Sequence, residues 1–246
     1  MKRNISGLIA IVLVTIAMMG CKDQSDYDDT EYQDTAIVMK AVGTVEKVRI
    51  GLIGTREAVI DWGDGKTQNF TLNADGIVVE HTYSPVRDTA DISVTGTNVT
   101  GLSCNSDRLI SLDVTQSPHL VFLNCENNKI SRLDVGKNPA LEYLYCSDNQ
   151  IMSLNLEKNP LLQLLLCRKN YLSALNLTQN TGLQTVNCES NYIGLTEMDA
   201  MIGSLHGNPP RNNQKEIWIE RNAGSSGCNK VPAQGKGWMF MEASEE

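Results

Sequence analysis

Aromatic residues are scarce in this chain: 3 Phe, 3 Trp and 7 Tyr among 246 residues, 5% of the total. Any core must therefore be built from aliphatic side chains. Basic residues are also few, with 21 Lys and Arg against 29 Asp and Glu and a formal charge of −8. Nucleic-acid binders need clustered cations to displace counterions, so no nucleic acid is expected as partner. The 3 histidines, His81, His119 and His206, lie far apart in the sequence. A catalytic base must come within hydrogen-bond reach of its partners, and these stand in different segments. No G-x-S-x-G, H-E-x-x-H or Gly-rich phosphate loop occurs. The expectation is a protein that is not an enzyme and carries no cofactor and no metal. After the first 20 residues no apolar run of spanning length follows.

The N-terminus reads as a targeting segment. Lys2 and Arg3 precede LIAIVLVTIAMM at residues 8–19, which is too short for a comfortable span and fits an export signal. Gly20 directly before Cys21 resembles the lipobox of bacterial lipoproteins, with Met18 where Leu is usual. That resemblance implies cleavage after residue 20, lipidation of Cys21 with acyl chains such as palmitate, and a membrane contact made by lipid alone. Loss of Lys2 and Arg3 would leave 19 basic residues against 29 acidic ones. Residues 22–35, KDQSDYDDTEYQDT, hold six carboxylates and no aliphatic side chain, so residues 21–35 read as a solvated tether. The stretch also resembles acidic export tags of surface-displayed lipoproteins, which implies an outer-membrane anchor facing outward.

Five cysteines, Cys104, Cys125, Cys146, Cys167 and Cys188, stand 21 residues apart, and the columns around them repeat. Leu or Val precedes each Cys by five and by two; Asp107, Asn128, Asn149, Asn170 and Asn191 follow by three. Leu or Ile follows by five, and Leu-Asp-Val or its equivalent begins eight after the Cys in four units. Pro118, Pro139 and Pro160 punctuate the units. The pattern L-x-x-L-x-C-x-x-N-x-I-x-x-L-D-V resembles the leucine-rich repeat, over residues 99–195. Alternation around each Cys gives a short strand with one buried face, and L-D-V a second extended segment. The Asn can close the turn that follows. The resemblance implies a right-handed solenoid whose coils stack into a parallel sheet. A thiol ladder could suggest metal or redox chemistry. However, strands are spaced about 4.8 Å apart, whereas a disulfide needs Cβ atoms about 3.5–4.5 Å apart, and zinc needs converging ligands. Buried free thiols are expected. Asp113, Asp134, Asn155 and Asn176 form a further column, expected to be solvated or bonded to the next coil.

Solenoids need end caps. Residues 36–98 contain six short strand-like runs (36–42, 45–53, 58–62, 68–72, 77–83 and 90–96), with a hairpin turn at Asp64-Gly65. Trp62-Gly63-Asp64-Gly65 and His81-Thr82-Tyr83-Ser84 resemble the PKD-type, immunoglobulin-like β-sandwich, which implies core roles for Trp62 and Tyr83. Asp61 and Asp64 are read as turn residues rather than calcium ligands. In residues 196–246, Thr196-Glu197-Met198-Asp199 predicts a capping box opening a helix to about Leu205. EIWIE at 216–220 predicts a strand, and a short helix and a strand around Trp238 follow. This tail resembles the αβ segment that closes such arrays. The fold class is thus mainly β with some α: β-sandwich, leucine-rich-repeat solenoid and small αβ C-terminal cap.

Outward positions of the Cys-bearing strands give the candidate site. Phe122, Tyr143, Tyr145, Leu164 and Leu166 form an apolar patch, with Glu126, Arg168 and Glu189 as its polar rim. A protein partner is the expected ligand. A glycan, for an accessory protein of nutrient uptake, is the alternative, although Trp62 and Trp238 are both expected to be packed. A structural envelope subunit is the third reading. Asp34-Thr35-Ala36 and Asp88-Thr89-Ala90 resemble acceptor sites of a bacterial O-glycosylation system.

Overall fold

The computed structural model describes residues 34–211 and 214–242; the leader, Cys21 and the acidic stretch through residue 33 lie outside them. Among the described residues, twelve strands join in one sheet. Four of them stand where six short runs are expected: β1 (Asp34–Gly54), β2 (Glu57–Asp61), β3 (Thr67–Thr71) and β4 (Ile77–Thr97). β1 absorbs the first two runs and β4 the last two. The two strands pair antiparallel from Asp34↔Thr97 to Leu52↔Ile77, and register shifts between Val42, Val45 and Lys47 bend them without reversing the chain. Gly43, at φ 85, supplies the left-handed backbone within the bend. Each half of β1 then takes its own second neighbour. Residues 36–41 pair with β6 (Leu109–Gln116) and residues 51–54 with β5 (Val99–Ser103). The expected hairpin joins β2 to β3, closing at Asp61↔Thr67 with Gly63 and Gly65 at positive φ.

From β5 onward the sheet is parallel. β7 (Phe122–Asn124), β8 (Tyr143–Tyr145), β9 (Leu164–Leu166), β10 (Thr185–Asn187), β11 (Lys215–Trp218) and β12 (Trp238–Phe240) stack in that order. Leu123, Leu144, Leu165, Val186 and Ile217 point inward from successive strands and are fully buried. Parallel strands need a crossover on each turn, and one coil cannot cover its own apolar edge, so neighbours bury each other. The apolar interior is continuous from Ile37 in β1 to Trp238 in β12.

Two residues after each Cys the chain turns off the strand through left-handed backbone, at Ser106, Asn127, Asp148, Lys169 and Ser190, all with φ between 51 and 67. The Asn column does more than close its own turn. Asn149 Nδ2 donates to its own Cys146 carbonyl (3.2 Å) and to the Cys125 carbonyl of the preceding coil (2.9 Å); its Oδ1 accepts the Ile130 N–H (3.0 Å). Asn128, Asn170 and Asn191 repeat the arrangement. Each amide thus satisfies buried backbone groups of two coils at once.

A second ladder, not foreseen, runs on the other side. Asn138, Asn159 and Asn180 each donate Nδ2 to two carbonyls of the preceding coil at 2.7–2.9 Å. The signal was present as Asn before Pro139 and Pro160. The expected extended L-D-V segment is a strand only in the first coil, as β6, where β1 supplies a pairing edge. The Asp113 column is exposed to solvent, the first of the two expectations, and bonds within its own coil rather than to the next. Asp113, Asp134, Asn155 and Asn176 each accept the N–H two residues on.

The helix α1 (Leu195–Ser204) takes Gly194 as its N-cap, two residues before the expected cap Thr196, and has no side-chain cap among the described residues. Asp199 instead accepts the Asn229 N–H (2.7 Å), so the box residues tie the helix to the following loop. Beyond α1 the coil pattern resumes with longer spacing. Asn222 donates to Ile219 and to Cys188, 34 residues back rather than 24. A sixth coil therefore closes through the helix, with Ile219 in the Cys column. α2 (Val231–Gln234) and β12 end the array.

Candidate functional site

The outer face of the parallel strands carries three columns. The first runs Gly101, Phe122, Tyr143, Leu164, Thr185, Glu216, and the second Ser103, Asn124, Tyr145, Leu166, Asn187, Trp218. The third, one after the Cys position, runs Glu126, Ser147, Arg168, Glu189, Glu220, stacked through backbone bonds such as Asp148 N–H to Arg168 O and Ser190 N–H to Glu220 O. Of the expected apolar patch, Tyr143, Tyr145, Leu164 and Leu166 are half-buried, with side chains reaching solvent on adjacent strands.

Phe122 does not belong to that open surface, because it is 4% exposed. Its neighbour is Gly101, whose open side is filled by Ile53 of β1, and the Tyr145 ring leans over it at 5.5 Å between centroids. The N-terminal strands thus roof the first coil. Glu189 is likewise no rim residue: it is 2% exposed and accepts a hydrogen bond from Asn187 Nδ2 (3.2 Å). Glu126 and Arg168 are half-buried and flank the open strip as expected.

Trp218 is the residue that sequence reasoning missed. Trp62 and Trp238 are packed, as expected, but Trp218 lies in the second outer column beside Asn187 and is half-buried. Its signal was the EIWIE alternation, which puts Ile217 and Ile219 inside and Trp218 outside.

Burial sets the electrostatics of the face. It pushes the Tyr145 hydroxyl up to about 12, helped by the Glu126 charge. It also raises the Glu126 carboxyl, with the Asp148 charge adding to the rise and the Arg168 charge opposing it. The ladder thiols are free and fully buried. Loss of hydration raises Cys104, Cys146 and Cys167 well above the ordinary thiol value and Cys188 to about 12, so they are held as neutral SH. Cys228 is half-buried and donates toward the Ser225 carbonyl (3.3 Å).

The histidines are placed apart. His81 stacks on Trp62 at 4.8 Å between centroids, and its Nε2 meets Asp64 Oδ2 at 2.9 Å. Asp64 also accepts the Lys66 N–H, and Asp61 the Gly63 N–H, so both carboxylates shape the hairpin. Burial raises the Asp64 carboxyl, but the His81 hydrogen bond and the Lys66 N–H outweigh it and leave it below its usual range. Tyr83 donates to the Trp62 carbonyl (2.8 Å), completing the packed core role expected of both. An open cleft of about 500 Å³ beside them is lined by Asp64, Lys66, Tyr83, Arg87 and Asp88. His206 contacts Leu183 O of the fifth coil (2.7 Å) and Asn208 N–H (3.1 Å), joining the C-terminal segment to the repeats. Among the described residues no group of three or more His, Cys, Asp or Glu is placed to hold a metal ion. No helix of the described residues is long and apolar enough to cross a membrane.

The chain forms a β-solenoid built on a leucine-rich-repeat pattern. No protein-family model matches it, and no curated protein does. Among solved structures it is similar to the functional domain of InlJ from Listeria monocytogenes, described as including a cysteine ladder. The two are 26% identical, with a TM-score of 0.26; the match covers 51% of this chain and spans only 35% of that one. At so slight a superposition, the surface has to be read from this chain's own residues.

Proposed function

We propose that this chain is a non-catalytic binding module, exported and lipid-anchored at Cys21, that holds a protein partner on the outer face of its parallel strands. The observation that carries this reading is the contiguous, partly open strip of Tyr143, Tyr145, Leu164 and Leu166, extended by Trp218 and flanked by Glu126 and Arg168. Aromatic and aliphatic side chains clustered on a rigid sheet are what interface centres are made of, and isolated soluble surfaces seldom keep such a strip open. Regular coils hold the side chains at fixed spacing, so little ordering cost is left for binding. The leader and Gly20-Cys21 support the anchor, and residues 22–33 would be its tether. A PKD-like sandwich at residues 36–98 and a right-handed coil remain part of this reading.

A photo-crosslinker placed at Tyr145 should capture a protein on intact cells, and one at Asp134, on the opposite side of the coil, should not. Equal capture at both positions, or none at Tyr145, would count against the face. Intact mass of the mature chain should show acylated Cys21, and protease added to whole cells should remove the repeats if the protein faces outward. Trp218 favours a second reading, a glycan stacked on the aromatic rings of the same face. A glycan array answered by Trp218-dependent binding would favour it over a protein.

A further inference from the structure

The charged residues of the three outer columns are unbalanced. The half-buried acids Glu126, Glu216 and Glu220 outnumber Arg168, and no lysine occurs in these columns. Glu216 is held by the neutral amide of Gln214 (2.6 Å), and Glu220 meets Lys230 only at 3.6 Å. Burial raises the Glu126 carboxyl, and the Asp148 charge adds to the rise while Arg168 opposes it. Between these carboxylates lie the rings of Tyr145 and Trp218 and the Leu166 side chain. Carboxylates at the edge of aromatic and aliphatic surface suit long amphipathic cations. Their methylene stems lie on apolar surface while their charged ends reach water or acid, and their cations favour ring faces.

We propose that the partner is a protein segment presenting lysine or arginine among aliphatic residues, with stems laid along Tyr145, Leu166 and Trp218 and cations drawn to Glu126, Glu216 and Glu220. This rests on the sheet face being the binding surface and names the chemistry it selects. The excess of 29 acidic over 19 basic residues after cleavage at Cys21 would steer such a segment inward at long range and repel acidic ones.

The test uses the purified chain and three fluorescent peptides, built from Leu and Lys, Leu and Glu, or Leu and Ser. The Leu-Lys peptide should bind, more weakly as salt rises, and the Leu-Glu peptide should not. Glu126→Gln and Glu216→Gln should each weaken binding about threefold to fivefold. Trp218→Ala should weaken it on the order of tenfold. Asp134→Asn, on the opposite side of the coil, should leave affinity as it was, and melting curves should show every variant folded. Equal binding of the Leu-Ser peptide overturns the cationic preference and leaves an apolar face. Leu-Lys binding that ignores the two Glu substitutions, or that falls equally with Asp134→Asn, reduces the effect to general charge attraction and also overturns the proposal. If no peptide binds, this inference falls, while crosslinking at Tyr145 decides the wider reading on its own.

Discussion

Replacing Asp107 by Asn should stabilise the protein, and do so as a function of pH. Asp107 occupies the Asn column in the first coil, where every later coil has an amide. Its Oδ1 accepts the Arg49 N–H of β1 (3.0 Å), as the Asn Oδ1 atoms accept from the preceding coil. By the repeat, Oδ2 takes the place of the amide nitrogen that donates to the Cys carbonyl; it is buried and has no hydrogen-bond partner among the described residues. Burial pushes the carboxyl up to about 7 from 3.8, against the Arg49 N–H and charge. The raised folded value means that the native chain holds a proton between these limits when the unfolded chain has lost it. Stability from this group is therefore fully present below 3.8 and is lost as pH rises through about 7. A shift of about three units corresponds to a ceiling of about 4 kcal/mol above that window, and relaxation around the carboxylate will lower it. Asn removes the titration and restores a donor, adding about 1 kcal/mol. We expect Asp107→Asn to raise stability by about 2–4 kcal/mol near pH 8 and by about 1 kcal/mol near pH 4. The corresponding rise in melting midpoint near pH 8 is about 5–10 °C for a chain of this size. Thermal and urea melts of both proteins at the two pH values read this directly. An equal gain at both, or a loss near pH 8, would refute the assignment of Asp107 as a misfit acid in an amide ladder.

Lys215→Met should destabilise the C-terminal cap by about 2–3 kcal/mol, measured by urea denaturation. The buried ammonium donates to the carbonyls of His206, Asn208 and Lys236, and methionine would leave all three bare; an unchanged midpoint would contradict that role. In the native protein a thiol reagent should reach Cys228 first, and the five ladder cysteines only on unfolding. Rapid native labelling of Cys146 would show that the coils open far more readily than their packing implies. Of the two Asp-Thr-Ala sites, Thr35 is buried and Thr89 exposed, so peptide mass mapping should place any added sugar on Thr89, and sugar on Thr35 would contradict its burial.

A spacing of 21 residues, read from five cysteines, was enough to determine the coil, the inward columns and the burial of the thiols. Each is a local consequence of side-chain direction repeated without change. The outward columns followed from the same alternation, and four of the five apolar residues assigned to the strip do reach solvent. What the sequence could not decide depends on neighbours distant along the chain. Phe122 alternates outward like Tyr143, yet β1 and Gly101 close over it because the N-terminal strands continue the same sheet. Glu189 alternates like Glu126, yet it is buried and bonded to Asn187. Trp218 and the sixth coil were hidden because α1 stretches the Asn-to-Asn spacing from 21 to 31 residues, beyond any fixed-period reading. The two long bent strands arise from pairing, since register shifts bend β1 and β4 at positions that a sequence scan reads as breaks. Period and alternation are properties of one chain segment and were legible. Coverage, charge balance and the reach of the sheet are properties of surfaces brought together, and only the tertiary structure settled them.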